Sequence, residues 1–465
     1  MRRLPEDVVA EIFLASLPLD RNAAMSESAS PLLLCRVSRG WRTLAFATPQ
    51  LWASLHVVDR STSSQRLRLN EAVDRWLSKS GALPLSISVF GSSDTPTEKS
   101  VILETVMRYS SRWSRMRFKL WSASSFEPLA ALAAVDLPIL ETIVVDHGIL
   151  VNRPGEERKW NINSLFQARS LRNMASTMYI PVALPFIQLR RLSYGLAAGT
   201  ADPSDTYIDT PAALEMLRQC PSLETCNISI YGFGQPPVPQ SLPPPCRMES
   251  LSHLSVLDSQ WGGTESYFFS SLELPRLQSL EYQGGLPGFV MFAFEPLLTP
   301  TNQLQRLVLN IPTPNEALLN CLSLVPTLRE LWIRQRQFHH GDPIDPPNDA
   351  AFWSALTPTA QNLHEVLCPQ LQIVTFTGFG GLSDNTVLQL IQSRTGLHSP
   401  TIARLTKAHI QFHRGMQEDI AQELRPQIAN GLDLSLRYIP PPSPDHSPLH
   451  GNISYTEREV LSDNW

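Results

Sequence analysis

Pro326-Thr327-Leu328-Arg329-Glu330-Leu331-Trp332-Ile333 carries the pattern on which the fold turns: a leading Leu, two spacer residues, then two apolar positions separated by one, Leu-x-x-Φ-x-Φ. Alternate residues of a strand point to opposite faces, so Leu331 and Ile333 fall on one side and Glu330, Trp332 and Arg334 on the other. The unit recurs at Leu140/Ile143/Val145, Leu189/Leu192/Tyr194, Leu223/Cys226/Ile228, Leu251/Leu254/Val256, Leu277/Leu280/Tyr282, Leu304/Leu307/Leu309 and Leu371/Val374/Phe376. The leading Leu positions are separated by 49, 34, 28, 26, 27, 24 and 43 residues. The steps of 28, 26, 27 and 24 lie within the period of roughly 20–29 residues at which a solenoid repeat supplies one strand and one return segment; the long steps imply insertions.

The return segments carry helical patterns. Thr210 to Leu217 leads into Cys220-Pro221-Ser222-Leu223, and Asn315 to Leu324 leads into Pro326-Thr327-Leu328. A strand fed by a helix, repeated, gives an α/β solenoid with parallel strands on one face and helices on the other. The array is similar to leucine-rich repeats but irregular. Where such repeats place an Asn or Cys, this chain has Gly148, Tyr231, Gly285 and Pro312, so uneven turns are expected. The same rhythm precedes the first clear repeat: a strand at Ala53–Val58, a helix from Ser64 to Ser80 stopped by Gly81, a strand at Pro84–Phe90, a helix from Thr97 to Ser110 and a strand at Met116–Trp121. It continues beyond Leu371 with a helix capped near Ser383, a strand at Ala403–Phe412, a helix from Gln417 to Asn430 and a strand at Leu432–Tyr438, a closing set that caps the open edge. From Ile439 the composition turns to Pro440-Pro441-Pro442-Ser443-Pro444, which predicts a disordered tail.

The N-terminus differs. Leu4-Pro5-Glu6-Asp7-Val8-Val9-Ala10-Glu11-Ile12-Phe13 reads as a helix opened by Pro5, with Glu6 and Asp7 favourable to the dipole and Val8, Ile12, Phe13 and Leu17 on one stripe. In a second helix Ser30 caps, Pro31 opens, and Leu34, Val37, Trp41 and Leu44 share a face. Two short helices cannot bury this much Leu, Ile, Phe and Trp between themselves, and the repeats carry their own core, so this surface reads as a handle for another protein.

Residues 4–52 resemble an F-box. The resemblance rests on Leu4-Pro5, Val8, Glu11-Ile12, the core Val37-Ser38-Arg39-x-Trp41-Arg42 and the closing Leu51-Trp52. A longer loop between the helices, Pro18 to Ser30, and the ending Thr48-Pro49-x-Leu51-Trp52 are similar to the F-box proteins of mushroom-forming fungi. The expected division is an F-box helical domain at 1–58, an irregular leucine-rich-repeat-like solenoid with its cap at 59–438, and a disordered tail at 439–465. The resemblance implies a substrate-recognition subunit of a cullin-RING (Skp-cullin-F-box type) ubiquitin ligase, which docks a Skp-type adaptor and brings a target protein on its repeats. Adaptor contacts would then lie among Leu4, Pro5, Val8, Ile12, Leu34, Val37, Trp41 and Trp52, some of which must also hold the helical unit together. For the target, architecture singles out the outward strand positions, for example Trp332, Arg334, Arg276 and Glu281. The alternative is a binding scaffold that uses the same parts without ubiquitin transfer.

Composition agrees with a binding protein. The 465 residues are 43% apolar and 17% charged with net charge −5, a balance that offers no electrostatic footprint for nucleic acid. No apolar run is long enough for a spanning helix and acidic residues interrupt any signal-peptide core, which predicts an intracellular protein, cytoplasmic or nuclear, with no membrane partner. Six cysteines form no Cys-x-x-Cys pair; Cys220 and Cys368 recur in the same Cys-Pro-x-Leu context, as buried structural positions would. His339-His340-Gly341-Asp342 and Gly378-Phe379-Gly380-Gly381 lack the spacing of a metal site or a phosphate loop, and the Pro-rich stretch from Gly234 to Pro245 reads as a surface excursion. No catalytic, cofactor or metal residue is assigned. An enzyme whose site assembles from distant positions is the least favoured class.

Overall fold

The structure is a computed structural model. It describes residues 4–59, 63–91, 101–120, 127–147, 163–176, 186–195, 208–230, 245–258, 267–284, 294–298, 303–311, 316–335, 350–359, 361–379, 382–396 and 401–439. The Pro-rich stretch at 234–244, the His339–Asp342 segment, the ladder positions Gly148, Tyr231, Gly285 and Pro312, and the tail from Pro440 onward lie outside the described residues. The chain divides into two compact units, Met1–Phe289 with Ala293–Asn302, and Val290–Phe292 with Gln303–Trp465. Among the described residues fourteen parallel strands carry the repeat, nine in the first unit and five in the second, so the fold is α/β and solenoid-like.

The first unit opens with three short helices, α1 (Glu6–Ala15), α2 (Leu34–Val37) and α3 (Arg39–Phe46). Its strands are β1 (Ser54–Asp59), β2 (Leu85–Gly91), β3 (Trp113–Leu120), β4 (Thr142–His147), β5 (Asn173–Ser176), β6 (Arg191–Tyr194) and β7 (Thr225–Ile230), then β9 (His253–Asp258) and β11 (Ser279–Gln283). The short strands β8 (Cys246–Arg247) and β10 (Leu272–Glu273) form a separate parallel pair. Between β1 and β2 runs α4 (Ser63–Lys79), which ends before Gly81, where a φ of +59° suits glycine. After β2 comes α5 (Val101–Met107). These helices cover one side of the strands with Val73, Trp76, Leu77, Ile102, Leu103 and Val106.

The repeat register is strict. Leu55, Ile87, Met116, Ile143, Met174, Leu192, Cys226, Leu254 and Leu280 are cross-strand partners in turn, and all are buried. A one-residue slip would turn every one of them outward, which fixes the pairing. The 49-residue gap between Leu140 and Leu189 is not an insertion. It holds a further repeat led by buried Leu171, with Met174 and Ser176 inward on β5. Ser176 occupies the second Φ position and is itself buried, and a polar residue there hides the repeat from an apolar pattern.

In the second unit the strands are β12 (Arg306–Ile311), β13 (Glu330–Gln335), β14 (Ile373–Phe379), β15 (Lys407–Phe412) and β16 (Asp433–Arg437). Leu307, Leu331, Val374, Ala408 and Leu434 continue the same alignment strand to strand. The long step to Leu371 does contain an insertion, the helix Ala350–Leu356, which buries Phe352 and Trp353. Arg394, on the helix Asp384–Gly396, is only 1% exposed and donates to the carbonyls of Leu356 (2.8 Å), Leu367 (2.8 Å) and Cys368 (3.1 Å). One guanidinium thus ties the insertion and the turn before β14 to the next helix. The continuous helix expected from Gln417 to Asn430 does not form. The Asp384 carboxylate captures the N–H groups of Gln417 and Glu418 at 3.0 and 2.9 Å, the chain turns there, and only Arg425–Ala429 is helical.

Cys220 and Cys368 are buried free thiols, as their shared Cys-Pro-x-Leu context implies. Burial pushes both thiols up to about 12. At Gly195, which ends β6 with φ +117°, an added Cβ would sit 2.3 Å from the Ser229 Cβ. Gly195→Ala is expected to destabilise the first unit by about 1–3 kcal/mol through strain and overpacking, read as a lower denaturant midpoint.

Candidate functional site

The N-terminal helices are built around Phe13, which is fully buried, with the Trp41 ring 4.9 Å away between centroids. The chain enters α1 from Pro5, and Glu6 and Asp7 sit in its first turn. The second helix is shorter and later than Ser30 and Pro31 imply. The Ser30 hydroxyl pairs instead with that of Ser16 at 2.8 Å, and the chain turns until Leu34. After Val37 the helix breaks at Ser38, which is extended (φ −158°, ψ 168°), and restarts with the Ser38 Oγ accepting from the Trp41 N–H at 3.1 Å. That break ends the shared face expected of Leu34, Val37, Trp41 and Leu44.

Burial sorts the expected contact residues into two groups. Leu4 (58% exposed), Val8 (41%), Ile12 (50%), Val37 (55%) and Trp41 (38%) face outward, and Pro5 is exposed beside them. Val8 and Ile12 lie one turn apart on one side of α1, Leu4 precedes its first turn, and Trp41 lies against Phe13, the neighbour of Ile12. Leu34 and Trp52 are buried and present no surface to a partner. Trp52 is completely enclosed: its Nε1–H donates to the Ala45 carbonyl at 2.8 Å, and its ring meets Trp76 of α4 edge-on at 4.9 Å. The Lys79 ammonium sits 4.2 Å over the same ring, and burial lowers its pKa from the usual lysine range despite the opposing influence of Cys35. Phe46, 46% exposed, was not among the expected contacts; it closes on Trp52 at 5.7 Å and adds apolar surface at the end of α3.

The helical unit is not a detached handle. The boundary expected at 58/59 falls inside β1, and the loop after α1 completes the first edge of the strands. The Ala23 carbonyl accepts from the His56 N–H at 2.6 Å, Ala24 forms a parallel bridge with His56, and Asn22 Oδ1 accepts from the hydroxyls of Ser54 and Ser86. Part of the apolar surface assigned to a partner is therefore consumed internally, by Trp76 and the β1 edge.

The second candidate surface is the outward face of the strands. In the first unit it carries a shallow depression of about 250 Å³ lined by Arg117, Val144, Asp146, Ala175, Ser193 and Asn227 among others. Small residues on β5 and β6 make the hollow, and Arg117 and Asp146 flank it. The cationic run Arg115, Arg117, Lys119 on β3 escaped the sequence reading, although the alternation Arg-Met-Arg-Phe-Lys-Leu contains it. Of the outward residues singled out from sequence, Arg276 and Glu281 are exposed in the first unit. Trp332 and Arg334 lie on β13 of the second, where Trp332 is half-buried beneath the Arg306 guanidinium, 5.0 Å from its ring centre.

Among the described residues no group of three His, Cys, Asp or Glu side chains is placed to hold a metal, and no helix is long and apolar enough to cross a membrane. No family model matches the chain, and no curated protein matches it. A solved structure of a Bacteroides fragilis protein matches with a TM-score of 0.25 and 11% identity over 71% of this chain and 66% of that one. At that similarity the match carries no argument about fold or function.

Proposed function

We propose that the chain is the substrate-recognition subunit of a Skp-cullin-F-box type ubiquitin ligase, acting in the cytoplasm or nucleus. The observation that carries this reading is the set of Leu4 before α1, Val8 and Ile12 on it, and Val37 and Trp41 beside it, all apolar and outward. The F-box-like pattern of residues 4–52 supports it from the sequence side. A Skp-type adaptor covers that set and links the chain to the cullin and its RING subunit. The chain does no bond chemistry of its own. It raises the effective concentration of a target's lysines near the activated ubiquitin, as tethering does. The strands behind the helical unit hold the target.

Ile12→Asp tests this with little risk to folding, because Ile12 is half exposed. A charge placed in a desolvated apolar contact costs about 2 kcal/mol or more, roughly thirtyfold in affinity. Pulldown of a Skp-type adaptor by the tagged full chain is expected to succeed for the wild type and fail for Ile12→Asp, with Trp41→Ala weakened alongside. A folded wild type that captures no adaptor overturns the reading. Adaptor captured without cullin favours the scaffold alternative.

A further inference from the structure

The chain carries net charge −5, yet the outward face of β1–β7 is basic. Its described positions bear Arg115, Arg117 and Lys119 on β3 and Arg191 on β6, against the single carboxylate Asp146. Asp146 is already engaged by Lys119 at 3.7 Å. Among the described residues no carboxylate lies within ion-pair distance of Arg115, Arg117 or Arg191, and all three are exposed. The Arg117 guanidinium rests 5.5 Å from the Phe90 ring centre, which keeps it on the face rather than swung to one side. The field is felt nearby: burial first, then Arg21 and Arg117, lower the pKa of His56 on β1. Glu141 and Glu224 stand just before β4 and β7, outside the strand positions, and Glu224 is held by Arg190 at 3.1 Å.

The spacing selects the ligand. Arg115, Arg117 and Lys119 recur every second residue, about 6.6 Å apart along a strand, which is also the separation of same-side residues in any extended peptide. Arg115 and Arg191 are aligned across β4 and β5, about 14 Å apart at the usual strand spacing. Between these cations lies the hollow over Ala175 and Ser193, with room for a main chain.

We propose that this face docks an extended Asp/Glu-rich segment of a partner protein, its alternate carboxylates reading the β3 cations and its backbone lying over the β4–β6 hollow. This deepens the proposed function by giving the chemistry of the target segment, and rests on the reading of the strands as the target-binding part. The probe is a fluorescein-labelled peptide of about twelve residues alternating Glu and Ser, long enough to follow the whole Arg115–Lys119 row. Its controls are the matched Gln/Ser peptide and a labelled oligothymidylate, all titrated by anisotropy into the full chain. Wild type is expected to bind the Glu/Ser peptide with an affinity that falls as salt rises. The triple variant Arg115→Gln/Arg117→Gln/Arg191→Gln should lose about tenfold, while the corresponding triple Lys variant retains salt-dependent binding. Unchanged thermal melting of the triple variant shows that the loss is not unfolding. The proposal is overturned by absent binding, by equal binding of the Gln/Ser peptide, by an unaffected triple variant, or by tighter binding of the oligothymidylate, which would make the face a phosphate-backbone site. Ile12→Asp leaves peptide binding intact, so failure here and failure of adaptor docking are separately visible.

Discussion

Trp52→Ala is expected to destabilise the first unit by about 3–5 kcal/mol, the cost of deleting a buried Trp whose cavity cannot collapse. The ring is fully enclosed between Phe46, Trp76 and Lys79, and its Nε1–H satisfies the Ala45 carbonyl at the end of α3. Truncation therefore also leaves that carbonyl only its longer backbone bond, 3.4 Å from the Thr48 N–H. The damage spreads because Trp52 joins two parts. On one side are the helices that display Leu4, Val8 and Ile12; on the other is α4, whose Trp76 Nε1–H donates to the Ser54 carbonyl at the start of β1. Denaturant unfolding and amide exchange on β1 and β2 check this, with lost protection in both strands as the expected result. The companion variant Trp52→Phe keeps most of the ring and gives up the hydrogen bond, so a loss of about 1–2 kcal/mol is expected with adaptor capture intact. If Trp52→Phe folds yet captures no adaptor, Trp52 is a contact residue despite its burial, and the division between core and surface drawn here fails.

That division is the part of the candidate site the sequence left mixed. A residue's type does not say whether its stripe faces a neighbour within the chain or outside it: Ile12 and Phe13 are adjacent and equally apolar, yet one is half exposed and the other sealed. Local patterning found α1 but misplaced the second helix, because the Ser30 hydroxyl had a competing partner in Ser16, fourteen residues away. The repeat register was legible wherever both Φ positions are apolar, since a period-two pattern buried on one face admits one alignment. It failed at β5, where Ser176 fills an inward position. The 58/59 boundary failed for a different reason. β1 follows residues 4–52 without a break, so its strand groups with the N-terminal helices in the sequence although it begins the strand rhythm, and the pairing of Leu55 with Ile87 makes it the first strand of the array. The basic strand face was written in Arg115-Met116-Arg117-Phe118-Lys119, but its significance depends on how few carboxylates the strands beside it carry, which pairing alone supplies.

The second unit has its own keystone, and Asp384→Ala is expected to cost it about 3–5 kcal/mol, the usual penalty for removing one partner of a buried ion pair. Asp384 is 1% exposed. It forms an ion pair with Arg414 at 3.1 Å and accepts from the N–H groups of Gln417 and Glu418 and from the Tyr438 hydroxyl at 2.9 Å. Tyr438 in turn stacks on Phe412, 4.5 Å between centroids and 2° from parallel. The single carboxylate thus gathers the start of one helix, the turn after β15 and the residue following β16; its loss leaves two N–H groups without an acceptor and leaves Arg414, still bonded to the carbonyls of Leu382 and Gly415, without its counter-charge. Burial alone would raise the carboxyl pKa, but the hydrogen bonds from Arg414, Glu418, Tyr438 and Gln417 outweigh it and hold the group below its ordinary value. A carboxyl depressed in the folded state binds protons more weakly than in the unfolded chain, so its stabilisation is present above the unfolded pKa and is lost as pH falls through the folded one. Acid titration of the wild type should therefore loosen the β15–β16 end first, seen as faster exchange of the amides of Gln417 and Glu418. Asp384→Asn keeps the shape and two acceptor lone pairs but cannot neutralise Arg414. It should flatten that pH response while remaining less stable than wild type at neutral pH. An undiminished acid response in Asp384→Asn would place the titrating group elsewhere and remove Asp384 as the origin of the closing fold.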